Sequence, residues 1–297
     1  MNWFYEPFQY EFMLKALLGC VLIGFTNGYL SGFILLRRHA LLGDALSHSL
    51  LPGIAIGAMV FGLNPIGLFL GALVAGLLVV LGAKMISHNS RLKDDTAIGA
   101  LYISAFAIGV VLIKYSSVRV DLSNFLFGNV LGLSPVDIWL TYGISFAIVA
   151  TLVIFQRHLL FSIFDPTVAR TMGISVAWMD YLLITLMVLA MISSLQAVGV
   201  VLSLGLLILP GATLYLLCDS YDVMLLGGAV LGVVGAVLGL LCSYWGNVPS
   251  GPAIVMVLSF FFLLAYLFSP RYGVIPRLFH PRHLHEESLK RWEKDGH

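Results

Sequence analysis

Charged side chains are scarce in this sequence. Only 10% of its 297 residues are Asp, Glu, Lys or Arg, whereas 60% are hydrophobic. A soluble domain of this size could not cover its surface with so few charges. Together with a mean hydropathy of +0.98, this composition indicates an all-α polytopic membrane protein. The apolar runs are continuous rather than alternating, which disfavours a β-barrel.

Several familiar motifs are also missing. The three cysteines (Cys20, Cys218 and Cys242) are scattered in apolar runs and predict neither a disulfide framework nor a Cys-x-x-Cys metal site. No Gly-Lys pair occurs, so the chain lacks the phosphate-binding loop of common ATPases. The start, MNWFYEPFQYEF, has no basic region of a cleavable signal peptide, and its aromatic residues are expected to anchor at the membrane interface. The net charge of +1 gives no sign of a nucleic-acid partner.

Apolar segments of membrane-spanning length follow one another along the chain. They cover residues 12–36, 41–62, 65–86, 96–116, 136–155, 222–245 and 252–269, with one or two more within 178–217. A weak break at 193–196 leaves the choice between eight and nine transmembrane helices open. Residues 116–135 are too polar to span and are expected to form an interfacial helix. We expect one transmembrane domain, 1–270, and a cytoplasmic tail, 271–297, whose histidines (His280, His283 and His285) we interpret as solvated.

The distribution of basic residues predicts the orientation. With nine spans and the N-terminus outside, thirteen of the sixteen Lys and Arg residues lie on the inner side. This agrees with the enrichment of cytoplasmic loops in Lys and Arg. With eight spans the two termini would share a side, so the cytoplasmic position of the C-terminus is the firmer prediction.

Residues 41–52, LLGDALSHSLLP, contain the feature around which the chain is organised. Asp44 and His48 are the only acid and imidazole pair inside an apolar run. Four residues of helix rise about 6 Å over little more than one turn, so both side chains share one face. Carboxylate and imidazole ligands suit manganese, iron and zinc. An ionisable group is costly in hydrocarbon and usually marks a transport pathway.

The residues alone leave a plainer interpretation open. Asp44 could accept backbone hydrogen bonds at a helix start while His48 is an ordinary buried histidine, although both would have to hold at once. Two ligands are too few for a transition-metal site. A symmetric homodimer with this face on its two-fold axis would supply two Asp and two His ligands. Hydropathy places Asp44 close to the inner interface, and we interpret Arg37-Arg-His39 as a tight turn drawn into the protein.

A short polar segment follows the fifth predicted span. Asp165 can cap a helix with Pro166 at its first position, and Gly173 can end it. The sequence therefore predicts a cytoplasmic helix within residues 164–175, with Ala169 inside it. An ordinary connector is the simpler interpretation. The functional one is a helix that docks into a partner, because a transport protein without an ATPase motif needs an external source of energy.

These motifs, taken in order, identify the family that the chain resembles. They are LLGDALSHS at 41–49, DDTAIG at 94–99, LFGNVL at 126–131, FDPTVARTMG at 164–173, Gly199 with LPGA at 209–212, and SGPA at 250–253. Each motif alone is weak, whereas the ordered set covers nearly the whole chain. The sequence resembles the permease subunits of bacterial ABC importers for manganese, zinc and iron, the metal-specific ABC-3 family.

The resemblance implies a fold, a set of partners and roles for particular residues. Two permeases would form the translocation path as a homodimer in the bacterial plasma (inner) membrane. Two copies of a separate cytoplasmic subunit would bind and hydrolyse ATP, docking on the coupling helix through Asp165, Pro166, Ala169 and Gly173. An extracytoplasmic metal-binding protein would deliver the ion to Asp44 and His48. The chain would then be no enzyme and hold no cofactor, with Mn²⁺, Zn²⁺ or Fe²⁺ as its cargo.

Two other classes of function were weighed against a metal importer. A gradient-driven secondary carrier or channel would need no ATPase partner, but no clear pair of inverted repeats is found. An intramembrane metalloenzyme would use Asp44 and His48 as ligands, but the sequence lacks His-Glu-x-x-His and a second intramembrane Asp/His cluster. Manganese is the expected cargo. The absence of cysteine near the pair argues against copper(I).

Overall fold

A computed structural model describes residues 9–62, 64–115, 135–270 and 273–279, and all regular secondary structure in these ranges is helical. The helices are α1 (Glu11–Leu36), α2 (Ala40–Ser49), α3 (Leu51–Phe61), α4 (Pro65–Asn89), α5 (Asp94–Tyr115), α6 (Pro135–Phe164), α7 (Pro166–Thr171), α8 (Val176–Leu217), α9 (Tyr221–Gly246), α10 (Ser250–Phe268) and α11 (Val274–Phe279). The predicted interfacial helix at 116–135 falls outside these ranges except for Pro135. The three tail histidines lie outside them as well.

Nine helical segments of the described residues are long and apolar enough to cross a membrane. Helices α2 and α3 provide one of these segments together, because Leu50 between them keeps helical dihedral angles. Helix α8 provides two, Val176–Leu195 and Val198–Leu217. The described residues therefore contain the higher of the two predicted numbers of candidate spans.

The interruption between the two spans of α8 lies a few residues beyond the predicted break at 193–196. It is at Gly199, whose φ of 82° and ψ of 172° are non-helical and are tolerated by glycine. The serines of the predicted break stay helical. The Ser194 hydroxyl donates to the Ala190 carbonyl oxygen at 2.6 Å and so has a partner on its own helix.

Helix α1 lies at the centre of the molecule and packs against α6, α8 and α9. Its contact with α9 is a close approach of two backbones. A Cβ atom at Gly24 would lie only 2.7 Å from the Gly232 carbonyl oxygen, and one at Gly28 would lie against Gly228 in the same way. Small residues at helical spacing allow such packing where no hydrophobic effect drives helices together. The rest of α1 contributes the buried side chains of Leu30, Phe33 and Ile34 to the core.

Candidate metal site

Helix α2, which carries Asp44 and His48, follows directly from α1 through a tight turn. Arg38 has a left-handed φ of 61°, and the His39 N–H donates to the Ile34 carbonyl oxygen at 2.9 Å. A left-handed residue followed by a hydrogen bond back to the last turn is a common way for a helix to end. The Arg37 side chain, only 20% exposed, points into the protein. The predicted turn at Arg37-Arg-His39 is therefore present.

One face of α2 packs into the molecule. A Cβ atom at Gly43 would lie 3.3 Å from the Leu204 methyl group on α8, so this glycine faces the interior. Two buried serines satisfy their hydroxyls locally, with Ser47 donating to the Asp44 carbonyl oxygen at 2.7 Å and Ser49 to that of Leu46 at 2.9 Å. The inward face of α2 thus combines these self-satisfied serines with the buried side chains of Leu42 and Leu46, and the acid and imidazole lie on the other face.

Asp44 and His48 lie together on that other face, as their spacing predicts. The His48 Nε2 and Asp44 Oδ1 atoms are 3.8 Å apart, which is too far for a hydrogen bond. Their free lone pairs are nevertheless near enough to meet on one ion, since metal–ligand bonds of these types are about 2.1 Å long. The pair can therefore supply two ligands from one chain.

Two aromatic side chains of α5 hold the imidazole in place. The Phe106 ring meets His48 edge to face, with centroids 5.2 Å apart, and Tyr102 lies nearly parallel to it at 6.4 Å. Such ring pairs restrict the orientation of the imidazole. These residues could not be predicted from the sequence, because an aromatic in an apolar span carries no signal of its neighbour on another helix.

The pair is exposed on the surface of a single chain. The Asp44 side chain is 60% accessible and that of His48 36%. Within the part of the chain that the structure describes, no group of three or more His, Cys, Asp and Glu residues is placed to hold a metal. Because ionisable groups of a spanning segment do not face hydrocarbon, this face must meet a polar pathway or another chain.

The predicted short helix after the fifth span is helix α7. Asp165 Oδ1 accepts hydrogen bonds from the Thr167 and Val168 N–H groups at 3.0 and 2.9 Å. Pro166 is the first helical residue, and Gly173 leaves the helix with a φ of 78°. Local capping chemistry therefore places both ends of α7 where the sequence predicts them.

Helix α7 has one buried side and one exposed side. Ala169 is fully buried, so it anchors the helix on the body of the molecule and cannot itself touch a partner. Phe164, Val168 and Met172 are exposed at intervals of four residues. Phe164 is the last residue of α6 and Met172 caps α7, so helical spacing does not place the three side chains on one face.

A buried ion network near α7 was not predicted from the sequence. Asp180 on α8 accepts from Arg37 Nε at 3.0 Å through one oxygen and pairs with Lys84 Nζ at 2.6 Å through the other. Lys84 also reaches Asp94 at 3.2 Å. The sequence shows opposite charges near the ends of these four apolar runs, but it does not reveal which of them pair.

His39 lies beside this network with a buried Nδ1 atom that has no hydrogen-bond partner among the described residues. Burial lowers the pKa of its imidazole, and the nearby Asp180 carboxylate only partly offsets that effect. A cation in this position would stand close to Arg37 and Lys84. The neutral form of His39 is therefore the one that the fold favours.

The helical fold and the ionisable pair on a spanning segment define a polytopic membrane transport protein. Residues 9–269 match the model of the ABC 3 transport family. The chain belongs to this family of ABC transporter permeases, as the resemblance of its motifs predicts.

Similar proteins agree with this assignment over nearly the full length. The chain is 42% identical over 286 residues to the manganese transport system membrane protein MntC of Halalkalibacterium halodurans, covering 96% of this chain and 97% of that protein. It is 36% identical over 264 residues to the chelated iron transport system membrane protein YfeD of Yersinia pestis, covering 89% and 88%. Among solved structures, PsaBC from Streptococcus pneumoniae in complex with Fab matches with a TM-score of 0.81 and 37% identity, over 91% of this chain and 96% of that chain.

Proposed function

We propose that this chain is the membrane subunit of an ATP-driven importer of divalent transition metal ions. Manganese is its principal cargo, and iron and zinc are the alternatives. The observation that carries the proposal is the pair Asp44 and His48, exposed together on a spanning segment. Two relatives named above transport manganese and chelated iron, which are ions that oxygen and nitrogen ligands bind well.

The site is completed by a second copy of the chain. One chain offers two ligand atoms 3.8 Å apart on an accessible face. A two-fold axis through that face brings two carboxylates and two imidazoles around one ion, and it removes all four groups from contact with lipid. A site shared between copies can also release its cargo, because a small rotation of the copies separates the two halves of the ligand set.

The energy comes from a separate cytoplasmic ATPase subunit, since the chain has no Gly-Lys pair. That subunit docks on α7, where Asp165 and Pro166 are exposed, as are the apolar side chains of Phe164, Val168 and Met172. In this proposal α7 and the C-terminal tail lie on the inner side of a bacterial plasma membrane, which the excess of basic residues in these parts of the chain supports. An extracytoplasmic metal-binding protein delivers the ion to the opposite side.

The test is metal-dependent ATP hydrolysis by the reconstituted complex. The chain would be co-expressed with its ATPase and delivery protein, placed in liposomes and supplied with Mn²⁺, Fe²⁺ or Zn²⁺. We expect Mn²⁺ to stimulate hydrolysis in the wild type and in His88→Ala, which removes an exposed histidine away from the site, but not in His48→Ala. A complex that ignores all three metals contradicts the cargo. Metal uptake without an ATPase would instead identify a gradient-driven carrier.

A further inference from the structure

The buried ion network connects both flanks of α7 to the helix that carries the metal pair. Arg37 lies in the turn that ends α1, and only Arg38 and His39 separate it from the first residue of α2. Because the His39 N–H is bonded back to Ile34, this turn is a fixed piece of backbone rather than a loose connection. A shift of Arg37 therefore moves the start of α2 with it.

The guanidinium group of Arg37 contacts the helices on both sides of α7. Its Nη1 atom donates to the Ser162 carbonyl oxygen on α6 at 3.2 Å, and its Nε atom donates to Asp180 on α8 at 3.0 Å. Ser162 lies just before the Asp165 cap, and Asp180 lies in the second turn of α8. The fork of an arginine can hold two partners in fixed directions, which an ammonium group cannot do.

The second oxygen of Asp180 connects the network to α4 and, through Lys84, to α5. It pairs with Lys84 at the end of α4, and Lys84 pairs with Asp94 at the start of α5. The side chains of Arg37, Asp180 and Lys84 are only 20%, 14% and 16% exposed. Water screens such pairs poorly, and each charge depends on its partner. The exposed Lys15–Glu11 pair on α1 lacks these properties and provides a control.

We infer that Arg37 and Asp180 are positioning residues that transmit a displacement of α7 to α2, and so to Asp44 and His48. Neither residue contacts the ion. A movement of α7 pulls on α6 and α8, and these helices hold the same guanidinium group. The inference rests on the proposed function, in which an ATPase moves α7.

Hydrogen exchange of the backbone distinguishes a network that transmits movement between helices from one that only stabilises the fold, because the two respond differently to mutation. The full chain alone, in nanodiscs, would be compared as wild type, Asp180→Asn, Asp180→Glu and Glu11→Gln. We expect Asp180→Asn to speed exchange about tenfold at residues 37–50 and in α7, with little change in α10. Asp180→Glu should restore slow exchange, and Glu11→Gln should change nothing in these segments. Exchange that rises throughout the molecule, or nowhere, would overturn the inference.

A second measurement reads the coupling itself in the reconstituted complex. We expect Asp180→Asn and Arg37→Lys to keep ATP hydrolysis while the number of ions moved per ATP falls about tenfold, and Asp180→Glu to recover part of it. Ion transport per ATP at the wild-type value in both variants would refute the inference. The two proposals fail separately. If the wild-type chain does not bind the ATPase subunit, the docking proposal is wrong even if exchange changes locally. A uniform exchange response would overturn the inference about Arg37 and Asp180 and leave the docking proposal intact.

Discussion

Replacing Asp165 by alanine tests whether α7 must be preformed to bind its partner. The side chain satisfies two backbone N–H groups, at 3.0 and 2.9 Å, at the start of a helix that runs only from Pro166 to Thr171. Removing an N-cap costs about 1 kcal/mol. A helix of this length has no stability to spare, because isolated helices shorter than about 12 residues are marginal in water.

The cost translates directly into affinity for the ATPase subunit. If the subunit binds only the formed helix, a loss of about 1 kcal/mol lowers the ratio of formed to unformed helix by a factor of about 5, and the population of the competent state falls by up to that factor. We therefore expect the Kd for the ATPase subunit, measured by biolayer interferometry with the chain in nanodiscs, to rise by up to about fivefold in Asp165→Ala. Asp165→Asn keeps the cap without the charge and should bind like the wild type. Equal binding by Asp165→Ala would refute the reasoning.

Three further predictions concern packing, the imidazole and pH. Gly28→Val should lower the unfolding temperature in detergent, since overpacking of close-packed helices costs about 1–3 kcal/mol, whereas Gly99→Ala, with open space around it, should not. Phe106→Ala removes an edge-to-face contact worth about 0.5–1.5 kcal/mol from His48, so Mn²⁺ affinity by calorimetry should fall up to about tenfold. Burial lowers the pKa of His39 in the folded chain, so this residue makes the fold less stable as the pH falls below about 6.5. The unfolding temperature of His39→Gln should therefore drop less at acidic pH than that of the wild type.

The sequence predicts the spans and α7 well because their signals are local. A long apolar run needs no partner to be recognised, and the cap at Asp165 lies within three residues of the groups it satisfies. The position of Gly199 as the interruption of α8 was not predictable in the same way. Glycines are frequent in this chain, 30 in all, and only the packing of neighbouring helices determines which of them leaves the helical region.

The contacts around the site depend on tertiary structure instead. Arg37 and Asp180 are 143 residues apart in sequence, so nothing in either segment reveals their pairing. The same holds for Phe106 against His48. The shared face of Asp44 and His48 follows from helical periodicity, whereas the exposure of that face follows from the packing of α2 against α5 and α8.

The number of ions bound per chain tests the central claim most directly. The purified chain in nanodiscs would be equilibrated with Mn²⁺ and analysed for metal and protein content, as wild type, His48→Ala and His88→Ala. Since a two-fold site shares one ion between two copies of the Asp44 and His48 pair, we predict one Mn²⁺ for every two chains, lost in His48→Ala and kept in His88→Ala. One ion per chain, or binding that survives in His48→Ala, would contradict the shared site.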